Sequence, residues 1–327
     1  MCIRDRDFAS DVTFGTGQNE WSFTGGVSSS SLGTDDILRG FDKFEDVDNI
    51  EVDFLIAPES IANANATTVV NDLVATASSL RKDCVAVASP SRNAAVVIGT
   101  NAAVLTCNNT YTKSSYLVQD NNYLKVFDKY NDQFIKIPAA SSTAGLMAAT
   151  DLVAANWFSP AGQRRGRYLG ITDIELSPNK SERDTLYKAG INPIANIPGQ
   201  GIMLFGDKTN ESRPSAFDRI NVRRLFLGIE RAIAIAGRNV MFEFNDEFTR
   251  AEFVNIVEPF LREIQGRRGI TDFRVVCDST NNTAAVIDRN EFIASIFIKP
   301  ARSINFVTLN FVAVRTGVEF EEVVGTV

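Results

Sequence analysis

Residues 50–88 begin IEVDFLIA (50–57), run through ANATTVVNDLVATASSLR (64–81) and close on CVAVA (84–88). The first block alternates and then turns continuously apolar, the pattern of a strand entering a buried sheet. In the second, Val69, Val70, Leu73, Val74, Ala77 and Leu80 recur at helical spacing. The third is short, apolar and stopped by Ser89-Pro90, so it reads as a second buried strand. Strand, helix and strand make a βαβ unit, whose crossover is expected to be right-handed, and the first half of the chain is therefore predicted to be α/β.

Outward from this unit, short strands are expected at 116–118, 123–127 and 134–137, with Asn121-Asn122 and Asn131-Asp132 as turns. A helix is expected over 139–157, and another over 181–189 between Asn179 and Gly190. Residues 201–205 read as a buried strand. A second domain is placed from Gly206. Its helix 216–236 carries Val222, Leu225, Phe226, Ile229, Ile233 and Ala236 on one face and Arg219, Arg223 and Glu230 on another. Val240–Phe244 is predicted to be a strand. Thr249 with Glu252 reads as a capping box opening a helix that runs to Gly266, with a kink at Pro259. Further strands are expected at 273–277, 291–298 and 304–314, so this half is predicted to be α+β.

The chain has 327 residues, enough for two cores, and its 44% hydrophobic and 22% charged composition is that of an ordinary globular protein. A net charge of −7 argues against general affinity for nucleic acid or anionic lipid. No run approaches the roughly 18 apolar residues of a membrane helix. There is no histidine, which removes Ser-His-Asp and Cys-His arrangements and His-ligated zinc. Four cysteines without CxxC spacing read as reduced, buried thiols in a cytosolic setting. Residues 1–35, a charged start followed by a Gly/Ser/Thr-rich stretch, read as the remnant of an outer or N-terminal region.

Several motifs nearly match known chemistry. Gly199-Gln200-Gly201 with Gly206 fails the dinucleotide fingerprint because no helix follows at the right distance. Ser177-Pro178-Asn179-Lys180 fits the S-x-x-K of Ser/Lys acylases but lacks the partner motifs, and Pro-Asn reads more naturally as a helix start. Asp46, Asp48, Glu51 and Asp53 lack the glycine and terminal glutamate of a calcium loop, which favours a solvated strand face. The arginines around 213–238 and 262–268 leave two readings open: a solvated face, or a surface that pairs with acidic groups of a protein partner. The tail of the chain, with Val318–Val324 (VEFEEVV) after Thr316-Gly317, offers a strand that needs something to pair with.

The segment WFSPAGQRRGRYLGITDIELSPNKSERDTLYKAGINPIANIPGQGIMLFGDKTNESRPSAFDRINVRRL (157–225) is a string of turn signals and short apolar runs. Together with Ile298–Phe306 and Leu309–Val312 it resembles the tail sheath proteins of contractile-tailed phages, closest to the T-even type, over roughly residue 41 to the C-terminus. The resemblance implies a subtilisin-like α/β domain over 36–205 and a C-terminal α+β sheath domain over 206–327. It also implies a structural subunit without catalytic, cofactor or metal residues. Such subunits would stack as rings around a tail tube, meet baseplate and tail terminator proteins, be assembled in the host cytoplasm, and contract to drive the tube through the host envelope. Neither nucleic acid nor membrane insertion is implied. Val318, Phe320, Val323 and Val324 would form a strand arm exchanged between subunits. Arg219, Arg223, Arg224, Arg231, Arg262, Arg267 and Arg268 would be candidates to face the tube. The alternatives are the sheath of a bacteriocin or secretion-type injection device and, from the S-x-x-K match, a hydrolase using Ser177 and Lys180.

Overall fold

The computed structural model describes residues 33–305. In chain order its named elements are α1 (Thr34–Phe41), β1 (Phe54–Ile56), α2 (Asn63–Ala75), β2 (Val85–Ala88), α3 (Asn101–Asn109), β3 (Leu117–Gln119), β4 (Tyr123–Asp128), β5 (Gln133–Pro138), α4 (Ala140–Val153), β6 (Asp173–Ile174) and α5 (Lys180–Lys188). There follow β7 (Ile194–Ile197), β8 (Gly201–Leu204), α6 (Ile220–Arg238), α7 (Glu247–Gly266), β9 (Ile270–Val276), α8 (Ala284–Ile287) and β10 (Ser295–Pro300).

The expected βαβ unit is present: β1 and β2 pair in parallel, Phe54 opposite Val85, and β3 joins the other edge of β2 in parallel. Alternation of side chains puts β2 residues on two different cores. Ala86 and Leu55 face α1 and α2, where Val69, Leu73 and Val74 pack. Val85, Val87 and Val118 face α4 and the start of α6, meeting Met147, Ile220 and Leu227. A sheet covered by helices on both sides explains why β2 is apolar at every position.

Beside this layer, β4 pairs antiparallel with both β5 and β6. β7 and β8 form a hairpin whose turn uses left-handed glycines at Gly199 and Gly201. In the second half, α6 and α7 pack against the antiparallel pair β9–β10, through Leu225, Ile229, Phe253, Val257, Leu261 and Ile264. α6 thus serves two cores at once. Its first turns, from Ile220 through Leu225, are buried on every side.

Several expectations are corrected. Val240–Phe244 is no strand: Val240 and Glu243 close turns by bonding back to Gly237 and Val240, Phe242 takes φ 70°, and among the described residues no strand pairs with it. α7 begins earlier than the capping box suggested, because Asp246 is the N-cap and accepts from the Thr249 amide at 2.8 Å. The helix expected at 139–157 stops at Val153. The one expected from 216 starts as a 3-10 turn at Ala216–Asp218, interrupted by an extended Arg219. Helices over 93–109 and the strand β7 carried no clear periodic signal and were not anticipated. The strand expected at 304–314 and the arm at 318–324 lie outside the described residues, apart from 304 and 305.

Candidate functional site

The arginines divide by what surrounds them. Arg223 is buried in the start of α6 and sandwiched between the rings of Tyr116 and Phe217, at 4.1 and 4.0 Å from their centroids. It also donates to the Ser115 hydroxyl, and burial holds its guanidinium below the usual value. Arg224, one position on, pairs with Asp151, donates to the Met147 carbonyl at 3.2 Å and lies over Phe54. Arg231 pairs with Asp53 at 2.8 Å and reaches the carbonyls of Val52 and Asp83. These three fasten α6 to the parallel-sheet layer. A helix with apolar partners on two sides leaves its cations no free direction, so they bond within the chain.

Arg219 belongs to a second cluster. The buried Asp207 carboxylate accepts from Arg219 at 3.1 Å, Tyr187 at 3.0 Å, Ser303 at 2.6 Å and Asn305 at 2.7 Å. Burial opposes ionisation there, but the bonds from Ser303 and Asn305 and the Arg219 charge outweigh it and hold the carboxyl below its ordinary value. The Tyr187 hydroxyl is pushed upward by burial and by Asp207, so it remains a donor. Residues 303–305 are thereby tied to α5 and to the loop after β8.

Arg262 and Arg267 are exposed, each held loosely by a glutamate four residues earlier, Glu258 at 3.3 Å and Glu263 at 3.4 Å. Arg267 also lies over Trp157, 5.0 Å from its ring. Arg268 takes φ 67° in the turn after α7 and lines a cleft of about 860 Å³ between the two halves of the chain. The structure therefore does not gather the seven arginines into one surface. Arg223 and Arg224 are interior, Arg219 and Arg231 are partly covered, and Arg262 and Arg267 face solvent.

The near-miss motifs have local roles. Asn179 caps α5, accepting from the Glu182 amide at 3.0 Å while Glu182 accepts from the Asn179 amide at 2.8 Å, so Pro178-Asn179-Lys180 is a helix start. Asp46 accepts from the Asn49 side chain at 2.6 Å and from two amides, which lowers its pKa. Cys84 is buried, and burial pushes its thiol up to about 12, far from thiolate chemistry at neutral pH.

Two polar features gave no sequence signal. Arg81 is buried and donates to the carbonyls of Phe44, Asp46 and Ile50, pinning the acidic loop before β1, with Asp83 as its ion-pair partner at 2.9 Å. Asp120 sits at the carboxyl end of β3, wholly enclosed. It accepts from Ser89 at 2.9 Å and from the Asn122 amide at 3.1 Å, with Thr143 at 3.4 Å. Among the described residues no cation is bonded to it, and burial pushes its carboxyl up to about 7. The carboxyl ends of parallel strands are where α/β proteins commonly place chemistry, but Asp120 is fully buried and its Ser89 partner nearly so.

Residues 31–210 match the family model described as the phage tail sheath protein central domain, and residues 212–313 match the phage tail sheath C-terminal domain. The chain belongs to the phage tail sheath protein family. It is 41% identical to the tail sheath protein of Vibrio phage KVP40, over 92% of this chain and 48% of that protein. With the tail sheath protein of Enterobacteria phage T4 the identity is 39%, over 97% of this chain and 51% of that protein. The chain thus spans about half the length of these curated relatives. Among solved structures it resembles the helical sheath of the anti-feeding prophage in its contracted state, with a TM-score of 0.70 and 20% identity over 86% of this chain and 76% of that one. It also resembles the contracted sheath complex of an extracellular contractile injection system, with a TM-score of 0.67 and 21% identity over 84% and 72%. At those identities the likeness is one of fold. The family placement agrees with the resemblance read from residues 157–225, 298–306 and 309–312.

Proposed function

We propose that the chain is the central and C-terminal part of a contractile tail sheath subunit that polymerises around a tail tube and contracts to drive it through a host envelope. The observation that carries this reading is the β9–β10 pair. It has only two strands, so each presents one unpaired edge among the described residues. A two-stranded sheet is marginal by itself, and free edges invite strands from other chains. A neighbour's Val318, Phe320, Val323 and Val324 are the strand assigned to such an edge. Main-chain bonds would then hold subunits together while their rigid parts rotate.

On this reading the subunits form a helical stack of rings, assembled in the host cytoplasm and carried in the virion. They contact tube, baseplate and tail terminator proteins. We further read 36–205 as a subtilisin-like domain and 206–327 as the sheath C-terminal domain, with parallel β1–β2–β3 in support of the first. No catalytic role is assigned, since a chain without histidine holds no Ser-His-Asp triad and Ser177–Lys180 opens α5. The exposed Arg262 and Arg267 are the members of the arginine set best placed to meet an acidic tube, since weak surface pairs are readily exchanged. The relation to the anti-feeding prophage and extracellular injection sheaths keeps a related injection device as a second reading, because the same mechanics serve both.

The test is electron microscopy of the protein expressed alone, with and without residues 318–327. Hollow striated cylinders are expected from the intact protein and a folded, non-polymerising subunit from the deletion. Cylinders at normal yield without the arm would refute the exchange of strands.

A further inference from the structure

The parallel sheet β1–β2–β3 carries opposite charge beyond its two ends. Residues 50–53 lead straight into β1, and Arg81, shortly before β2, donates to the carbonyls of Phe44, Asp46 and Ile50, so the loop 42–53 lies at the amino ends of the strands. That loop holds six acids and one lysine. Arg231 pairs with Asp53, but among the described residues Asp42, Glu45, Asp46, Asp48 and Glu51 are exposed without an ion pair. The exposed Lys43 and Lys82 offset only part of their charge. Phe44 and Val47 are exposed among these acids, as is Leu80 next to Arg81.

The other end is basic. Asn192 bridges to Asp120 in parallel, so β7 runs on past the carboxyl end of β3; β8 returns beside it, and Arg167 bridges to Met203 on the side of β8 away from β7. The turn 162–170 therefore stands beyond the carboxyl ends of the sheet. It holds Arg164, Arg165 and Arg167, and no acid occurs between Asp151 and Asp173. Arg164 and Arg167 are exposed and, among the described residues, make no ion pair. Of the nearby acids, Asp207 is bonded to Arg219, while the exposed Asp173 and Asp184 are outnumbered by the three arginines. Apolar groups are exposed here as well: Leu169 is 84% exposed, and Ile61, in the connection that leaves β1, is 72% exposed.

A body with acid at one end of its strands and base at the other attracts a copy of itself in one orientation and repels it in the reverse one. We propose that the loop 42–53 of one copy seats on the turn 162–170 of the next, with Asp48 and Glu51 against Arg164 and Arg167 and the exposed apolar side chains between them. The contact is heterologous: each copy uses both faces once, so the stack stays open at its ends and grows. The proposal rests on the reading of the chain as a subunit that assembles with its own copies, and it adds a side-chain contact that owes nothing to exchanged strands.

Two charge reversals test it, Asp48→Arg with Glu51→Arg and Arg164→Glu with Arg167→Glu. All four side chains are exposed and outside any ion pair among the described residues, so both variants should keep the native circular dichroism spectrum. Sedimentation velocity at low ionic strength reads the concentration at which each begins to self-associate. Alone, each variant sets like charges together and should need at least about tenfold more protein than the native chain, as two exposed pairs turned to repulsion give. An equal mixture should return to within about threefold of the native threshold, because altered face then meets altered face and native face meets native face. High salt should narrow every difference. Self-association of either variant at the native concentration, or a mixture no better than its components, overturns the proposal. Cylinders seen by electron microscopy in that event leave the sheath reading standing, whereas a native chain that never self-associates counts against both.

Discussion

Replacing Asp120 by asparagine should make the fold less dependent on pH and more stable above neutrality. The carboxyl is enclosed, and burial moves it from 3.8 up to about 7. Because the native pKa is the higher one, the folded chain keeps a proton that the unfolded chain releases between about pH 3.8 and 7. Stability from this group therefore falls as pH rises through that window and levels off above it. A displacement of about 3 units corresponds to on the order of 4 kcal/mol at full extent, an upper bound for a group in a relaxing interior. Asparagine can still accept from Ser89 and the Asn122 amide, and its amide can donate toward Thr143, so the geometry is retained without the charge. Urea unfolding of both proteins across pH, followed by circular dichroism, measures the difference directly. The variant's advantage should be near zero or negative at about pH 4 and grow by several kcal/mol by about pH 8. A difference that stays constant with pH would refute the assignment of an uncompensated buried carboxyl.

Arg223→Ala should cost about 3 kcal/mol in the same assay, since it removes a cation held between two rings and leaves a gap at the junction of the two cores. A loss below about 0.5 kcal/mol, with tube binding abolished, would return Arg223 to a surface role. Arg262→Glu with Arg267→Glu should change stability by less than about 0.5 kcal/mol, their partners being exposed helix neighbours. The same pair should reduce co-sedimentation with tail tubes more than it reduces sheath self-assembly, and equal loss of both would argue against a tube-facing surface.

Local patterns are legible in the sequence alone. The βαβ unit, the apolar stripe of α7 and the start of α5 at Asn179 depend on residues a few positions apart, and hydrophobic periodicity and capping report on that range directly. The order of turn signals from Trp157 to Leu225, together with Ile298–Phe306 and Leu309–Val312, also carried the family resemblance. Where a segment's role depends on what lies beside it, the pattern misled or was silent. Val240–Phe244 has strand composition but no strand to pair with among the described residues, and the charged face of α6, for which a solvated face and a partner surface were both open, is partly enclosed by the sheet layer and α4. Asp207 gathers donors from positions 187, 219, 303 and 305, and Asp120 draws on 89 and 143.

By itself, then, the amino-acid order determined the segments whose periodicity or caps are local, such as the βαβ unit, α5 and α7, and the family they compose. Tertiary packing alone decided which charges are buried, which arginines stay exposed, and where the cleft opens. The reason is physical: backbone conformation responds to near neighbours, whereas the cost of a charge is set by the dielectric and the partners that distant segments bring to it.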